Sequence, residues 1–153
     1  MLLATEALGP VRSNIPLSPD LALSGDLMAP GHLMVDFGDD ALTRGRAHPM
    51  IDPTLRLEHL ARVAADPETA VLLLDVVLGH GAQADPAADL APAIAAAREG
   101  RSLPVVVACV GTAGDPQGLT RQAEALAAAG AEVHLSNAAA ARRAVALARG
   151  GDR

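Results

Sequence analysis

The chain has no tryptophan, no tyrosine and no lysine, and only one phenylalanine and one cysteine among its 153 residues. Without aromatic rings there are no platforms on which unpaired bases could stack, so single-stranded nucleic-acid binding loses its usual anchor. A formal net charge of −6 points the same way, because phosphate backbones are met by basic surfaces. Nucleic acid is therefore excluded as the main partner. The lone Cys109 allows no internal disulfide and no thiolate zinc site. It sits in the apolar run Pro104–Val110 with no charge beside it, and reads as a small buried hydrophobe. No paired metal-ligand spacing occurs elsewhere, so no metal is expected. The lack of lysine also removes Gly111-Thr112-Ala113-Gly114 as a phosphate-binding loop, for which it is too short in any case. No apolar run approaches the roughly 20 residues that span a bilayer, and the N-terminus has no basic region of the signal-peptide kind. A cytoplasmic protein is expected.

What remains is an aliphatic chain of one domain's length, with half its residues apolar and a core to be built from Val, Leu, Ile and Ala. Residues 1–30 read as a helix remnant, stopped at Gly9-Pro10, followed by an irregular lead-in without periodicity. Such a beginning suggests a segment of a larger ancestor. Residues 31–151 read as the folded domain. Strands are expected at Leu33–Phe37, Ala70–Leu78, Pro104–Val110 and Ala131–Leu135. Helices are expected at Thr54–Ala65, Asp89–Arg98, Pro116–Ala129 and Asn137–Arg149, the last closed by Gly150-Gly151. The second of these starts at Asp89 so that Pro92 falls in the tolerated first turn. Ala70–Leu78 does not alternate, which is the mark of a strand covered on both faces. Strand and helix in alternation, with helical crossovers, predict an α/β fold: an open parallel sheet with helices on both faces, flavodoxin-like or Rossmann-like.

Each charged loop in this reading follows a strand, and ligands of open parallel sheets bind at the carboxyl ends of strands. The longest such loop, residues 36–53, gathers Asp36, Asp39, Asp40, Arg44, Arg46, His48 and Asp52. Arg44 and Arg46 could clamp a carboxylate or phosphate bidentately, helped by N–H groups at nearby helix N-termini. The alternative is a surface ion network with Asp39 and Asp40. His48, fixed ahead of Pro49, could act as general acid or base; a structural role is the alternative. His80, in the turn Gly79-His80-Gly81-Ala82, could be a nucleophile or proton carrier, or a solvated turn residue. Thr112 and Gln117, in the loop after the third strand, join Asp39 and Asp40 as candidate substrate contacts. Asp75, inside a strand, needs a partner, and Arg44 or Arg46 would serve. The Asp-Pro pairs at residues 52, 66, 85 and 115 read as helix caps and turns. Glu58 and Arg62 are spaced as a helical ion pair. His32, His59 and His134 have no supporting neighbours.

Gly38-Asp39-Asp40, Thr43-Arg44-Gly45-Arg46, His48-Pro49-Met50-Ile51-Asp52, Asp75-Val76-Val77-Leu78-Gly79 with Asp85-Pro86, and Gly111-Thr112 with Asp115-Pro116-Gln117 together resemble the signature of the FdrA family. The likeness covers about residues 5–150. It implies kinship with succinyl-CoA synthetases, and a flavodoxin-like ligase domain. It also implies CoA or carbamoyl phosphate as a ligand, a small anionic substrate, and other CoA-ligase-like segments or subunits as partners, with oligomers possible. Carbamoyl transfer to an oxamate-type acceptor is the first activity implied, and an acyl-CoA ligase the second. A non-catalytic assembly domain is the third reading. The phosphorylated histidine of acyl-CoA synthetases has no counterpart in Gly111–Gln117, and His80 lies in the preceding loop.

Overall fold

The computed structural model describes residues 1–150. Its elements run α1 (Leu2–Leu8), β1 (Val11–Ser13), β2 (His32–Met34), α2 (Asp40–Thr43), α3 (Thr54–Ala65), β3 (Leu72–Val77), α4 (Pro86–Arg98), β4 (Val105–Val110), α5 (Leu119–Ala128), β5 (Glu132–His134) and α6 (Asn137–Ala148). Every strand pairing is parallel. β3, β4 and β5 form one sheet in chain order, while β1 and β2 pair separately, so the single sheet expected is two.

β4 is the central strand. Val105–Cys109 are all buried, because residues of alternate parity enter two different cores. Val105, Val107 and Cys109 join Leu72 and Val76 of β3, Leu60 of α3, Leu90 and Ile94 of α4, and Leu126 of α5. Val106 and Ala108 point the other way, against Ala140 and Ala144 of α6. Right-handed crossovers between strands in chain order put α4 and α5 on one face; α6 covers the other, with α1 packed on α6. Ile94 and Leu126 are wholly enclosed, each burial stabilising by about 1.5–3 kcal/mol. An aliphatic chain thus makes an α/β fold of parallel sheets flanked by helices. Among the described residues no helix is long and apolar enough to cross a membrane.

Several boundaries differ from the sequence reading. The lead-in contains β1, whose Val11 and Ser13 are buried and whose residues pair with His32–Met34. The strand read at Leu33–Phe37 ends at Met34, and the chain turns at Asp36. α4 begins at Pro86 rather than Asp89 and carries Pro92 in its interior. Pro86 occupies the position where a missing N–H is harmless, and the buried face of Ala87, Leu90, Ile94 and Ala97 holds the helix through the later break. α5 begins at Leu119, because the backbone of Gly118 is left-handed and residues 112–118 form turns. Gly151, read as part of the last helix stop, and the end of the 31–151 domain lie outside the described residues.

Candidate functional site

Three loops that follow strands are tied together by hydrogen bonds. The Gln117 amide, buried at 2 % exposure, donates to Gly79 O at 2.8 Å and Gln83 O at 3.1 Å and accepts from Gly79 N at 3.2 Å. Gln83 N in turn donates to Met50 O at 2.6 Å. The 111–118 loop therefore holds the 79–85 loop, which holds the 36–53 loop. Close packing reinforces this: a Cβ on Gly111 would lie 2.9 Å from both Leu78 Cβ and Asp115 Oδ2.

Between the 36–53 loop, the end of β3 and the start of α4 lies a cavity of about 180 Å³. Phe37, Leu57, Val76 and Leu90 give it an apolar floor; Asp36, His48, Arg56, Asp75 and Asp89 supply its ionisable walls. His48 Nδ1 accepts from Met50 N at 3.2 Å, so the neutral ring carries its proton on Nε2. That Nε2 lies over Gly38, only 2.7 Å from where a Cβ would stand, with Asp36 Oδ1 at 3.2 Å from the same point. Asp36 Oδ1 accepts from Gly38 N at 2.8 Å, which shapes the turn under the imidazole. Arg56 also lines the cavity; its Nη2 donates to Asp75 O at 2.5 Å and lies 3.5 Å from Asp75 Oδ1. Burial pushes the Arg56 guanidinium below its usual value, and the Asp75 charge acts in the opposite sense. The arrangement offers an imidazole N–H and a guanidinium to one small ligand.

The predicted residues fall in different places. His48 lines the cavity. Arg44 and Arg46 point to solvent, and their side chains make no hydrogen bond or ion pair among the described residues. The alternative reading, an ion network with Asp39 and Asp40, does not form among the described residues; Asp39 instead accepts from Ala41 N at 2.9 Å to start α2. Arg46 lines a second, shallow pocket with Thr43, Gly45, Asp52 and Thr54. Its charge, behind two hydrogen bonds from Thr54, helps hold the Asp52 carboxyl below its ordinary range. The partner of Asp75 is Arg56, not Arg44 or Arg46: α3 runs beside the edge of β3, whereas the loop arginines project outward. His80 is exposed on its turn. Thr112 is exposed and its N–H donates to Asp115 Oδ2 at 2.6 Å. Gln117 is engaged with backbone and leaves no amide group open to a ligand.

The N-terminus of α4 lies beside this rim, and its first N–H groups, those of Ala87 and Ala88, are bonded within the protein. Ala87 N donates to Gln122 Oε1 at 2.8 Å, and Gln122 Nε2 donates to Asp85 Oδ1 at 2.8 Å. Arg121 Nη1 completes the group on Asp85 Oδ2 at 2.7 Å. The Gln122 hydrogen bond, then that from Arg121, lowers the Asp85 carboxyl below its ordinary value. Asp115, read as a cap, serves the turn before α5 instead. Arg62 pairs with Asp26 at 2.6 Å rather than with Glu58. Among the described residues no group of three His, Cys, Asp or Glu side chains gathers to hold a metal ion.

Arg56, Gln83 and Gln122 were not singled out from sequence. Gln122 left a signal: it occupies an apolar-face position of α5, between Leu119 and Leu126, where a leucine would be ordinary. Arg56 left none, since its partner lies 19 residues away on a strand.

The model of the CoA-ligase family matches residues 3–147. Uncharacterized protein YahF of Escherichia coli (strain K12) is 42% identical over 136 residues, covering 85% of this chain and 26% of that protein. The chain thus spans about a quarter of the length of this curated relative. With the match running across nearly all of the α/β fold and its rim of loops, the chain belongs to the CoA-ligase family.

Proposed function

We propose that the chain acts as the ligase-type domain of an acyl-CoA synthetase, handling a small acid or its acyl phosphate at the cleft beside β3. The observation that carries this reading is the His48 imidazole, held with its Nε2 proton over Gly38 at the wall of a small, half-apolar cavity at the carboxyl end of a strand. A donor at that place would stabilise charge on a carbonyl oxygen, or protonate the leaving oxygen, as the acyl group moves to the CoA thiol. The family match over residues 3–147 supports ligase chemistry. Other CoA-ligase-like segments would supply the remaining parts, in keeping with the quarter of the relative's length that this chain spans.

Carbamoyl transfer, implied by the FdrA likeness, draws on loop motifs alone. Calorimetric titration with CoA and, in parallel, with carbamoyl phosphate separates the two. Saturable heat with CoA and none with carbamoyl phosphate is expected. The reverse result would replace the ligase reading with the transferase. His80, exposed on its turn, is a candidate imidazole for transient phosphorylation; an acid-labile label from a nucleoside triphosphate that survives His80→Asn would remove it from the reaction.

A further inference from the structure

We infer that Arg56 receives the carboxylate of a small acid that also carries a hydrogen-bond donor such as a hydroxyl. This deepens the ligase reading above and rests on it. The Arg56 side chain is only 19% exposed, yet its one ionic partner is loose: Asp75 Oδ1 is 3.5 Å away on a side chain that is 63% exposed. Charge-assisted pairs close to about 2.7–2.9 Å, and arginine commonly binds a carboxylate with two parallel N–H groups. Both protein acceptors of the guanidinium among the described residues, Asp75 O and the distant Asp75 Oδ1, fall on Nη2, so Nε and Nη1 have none. A half-compensated guanidinium on the wall of a cavity is a receptor for a second carboxylate.

Size and charge narrow the ligand further. The cavity of about 180 Å³ is close to the roughly 150 Å³ that holds benzene, and below the roughly 300 Å³ at which drug-sized pockets begin. That is room for the acid itself, not for the whole of a CoA molecule. Asp36 and Asp89 also line it, each with one oxygen already accepting, from Gly38 N and from Gln83 Nε2. Their charges disfavour a bare carboxylate and favour an acid whose own O–H or N–H meets them.

The test is an NMR titration of the whole chain with lactate, alongside propionate and 1,2-propanediol, which each lack one of its two features. CoA is titrated in a separate sample. Lactate should shift the amides of Gly38, Met50, Val76 and Gln83 saturably, propionate more weakly and the diol not at all. Arg56→Gln should weaken lactate binding about tenfold or more, with partial recovery in Arg56→Lys. Arg62→Gln, exposed on the same helix, should bind as the parent does. Should Arg56→Gln fail to fold, the comparison of Arg56→Lys with the parent decides. Unchanged affinity in the Arg56 variants, shifts centred on Arg44 and Arg46, or no saturable lactate response overturns the proposal. A CoA response without a lactate response leaves the ligase reading standing. A lactate response without CoA does the opposite.

Discussion

Gln117 pairs with Gly79 as a neighbouring strand residue would, its amide nitrogen 2.8 Å from Gly79 O and its amide oxygen 3.2 Å from Gly79 N. The ladder between β3 and β4 has by then run out, its last backbone bond passing from Leu78 N to Val110 O. A side chain thus extends the sheet by one residue into the loop that carries His80. Replacing it with a shape-similar apolar residue strands the groups it served. Gln117→Leu should cost about 2–4 kcal/mol in urea unfolding. It should also speed amide exchange at Gly79 and Gln83 more than at the core of β4. Exchange that rises equally everywhere would mean Gln117 supports global stability and not this loop in particular.

Gly38 and His48 separate stability from site geometry. An alanine Cβ at residue 38 would stand 2.7 Å from His48 Nε2, the outer end of a side chain that is exposed and can move. The fold should tolerate Gly38→Ala at a cost below about 1 kcal/mol, since little core is touched. The His48 ring, however, must leave its place, and its Nδ1 bond from Met50 N should be lost. The imidazole nitrogen signals in NMR report this directly. An unmoved ring would refute the close approach.

His59 sets an acid limit. It is half-buried, with its ring 5.4 Å from that of Phe37 at 61°, and burial followed by the Arg62 charge lowers its pKa. The unfolded chain takes up the proton near 6.5 while the folded chain does not. Stability from this residue is therefore complete above about pH 6.5 and declines as pH falls through the folded value. Thermal midpoints measured from pH 7.5 to 5 should drop more steeply in the parent than in His59→Gln. Parallel curves would assign the acid sensitivity to other groups.

What could be read from sequence follows from how far apart the causal residues lie. Thr54–Ala65 was legible to the residue, because a 3.6-residue apolar period and the Asp52-Pro53 pair just ahead of it are both local signals. The unalternating run Ala70–Leu78 located a strand, β3, but Asp75 and Val77 there are exposed, and the strand covered on both faces is β4. β1 was hidden because three residues, Val11-Arg12-Ser13, give no period, and their burial depends on pairing with β2. The loop at 36–53 was identified as site-like by its ionisable residues, yet the arginine beside the cavity is Arg56, one turn into the following helix. Charge density marks a loop; which guanidinium turns inward is decided by where α3 sits, packed on α4 and within an arginine's reach of β3.

Pro92 offers the clearest reversal of a sequence rule. It is the seventh residue of α4 and lies on the exposed face, opposite Leu90, Ile94 and Ala97. It has no N–H to give to Ala88 O, and its ring crowds that carbonyl, for which an interior proline usually costs about 3 kcal/mol. Because the ring is exposed, alanine there opens no cavity in the core. Pro92→Ala restores the donor and the better helix former, against a loss of up to about 1 kcal/mol from the freer unfolded chain. A net gain of about 1–2 kcal/mol is expected, seen as a higher urea midpoint with the slope unchanged. A lower midpoint would carry a different meaning: the backbone set by Pro92 would then be what seats Leu90 in the cavity floor and Ile94 in the core, and alanine would unseat them.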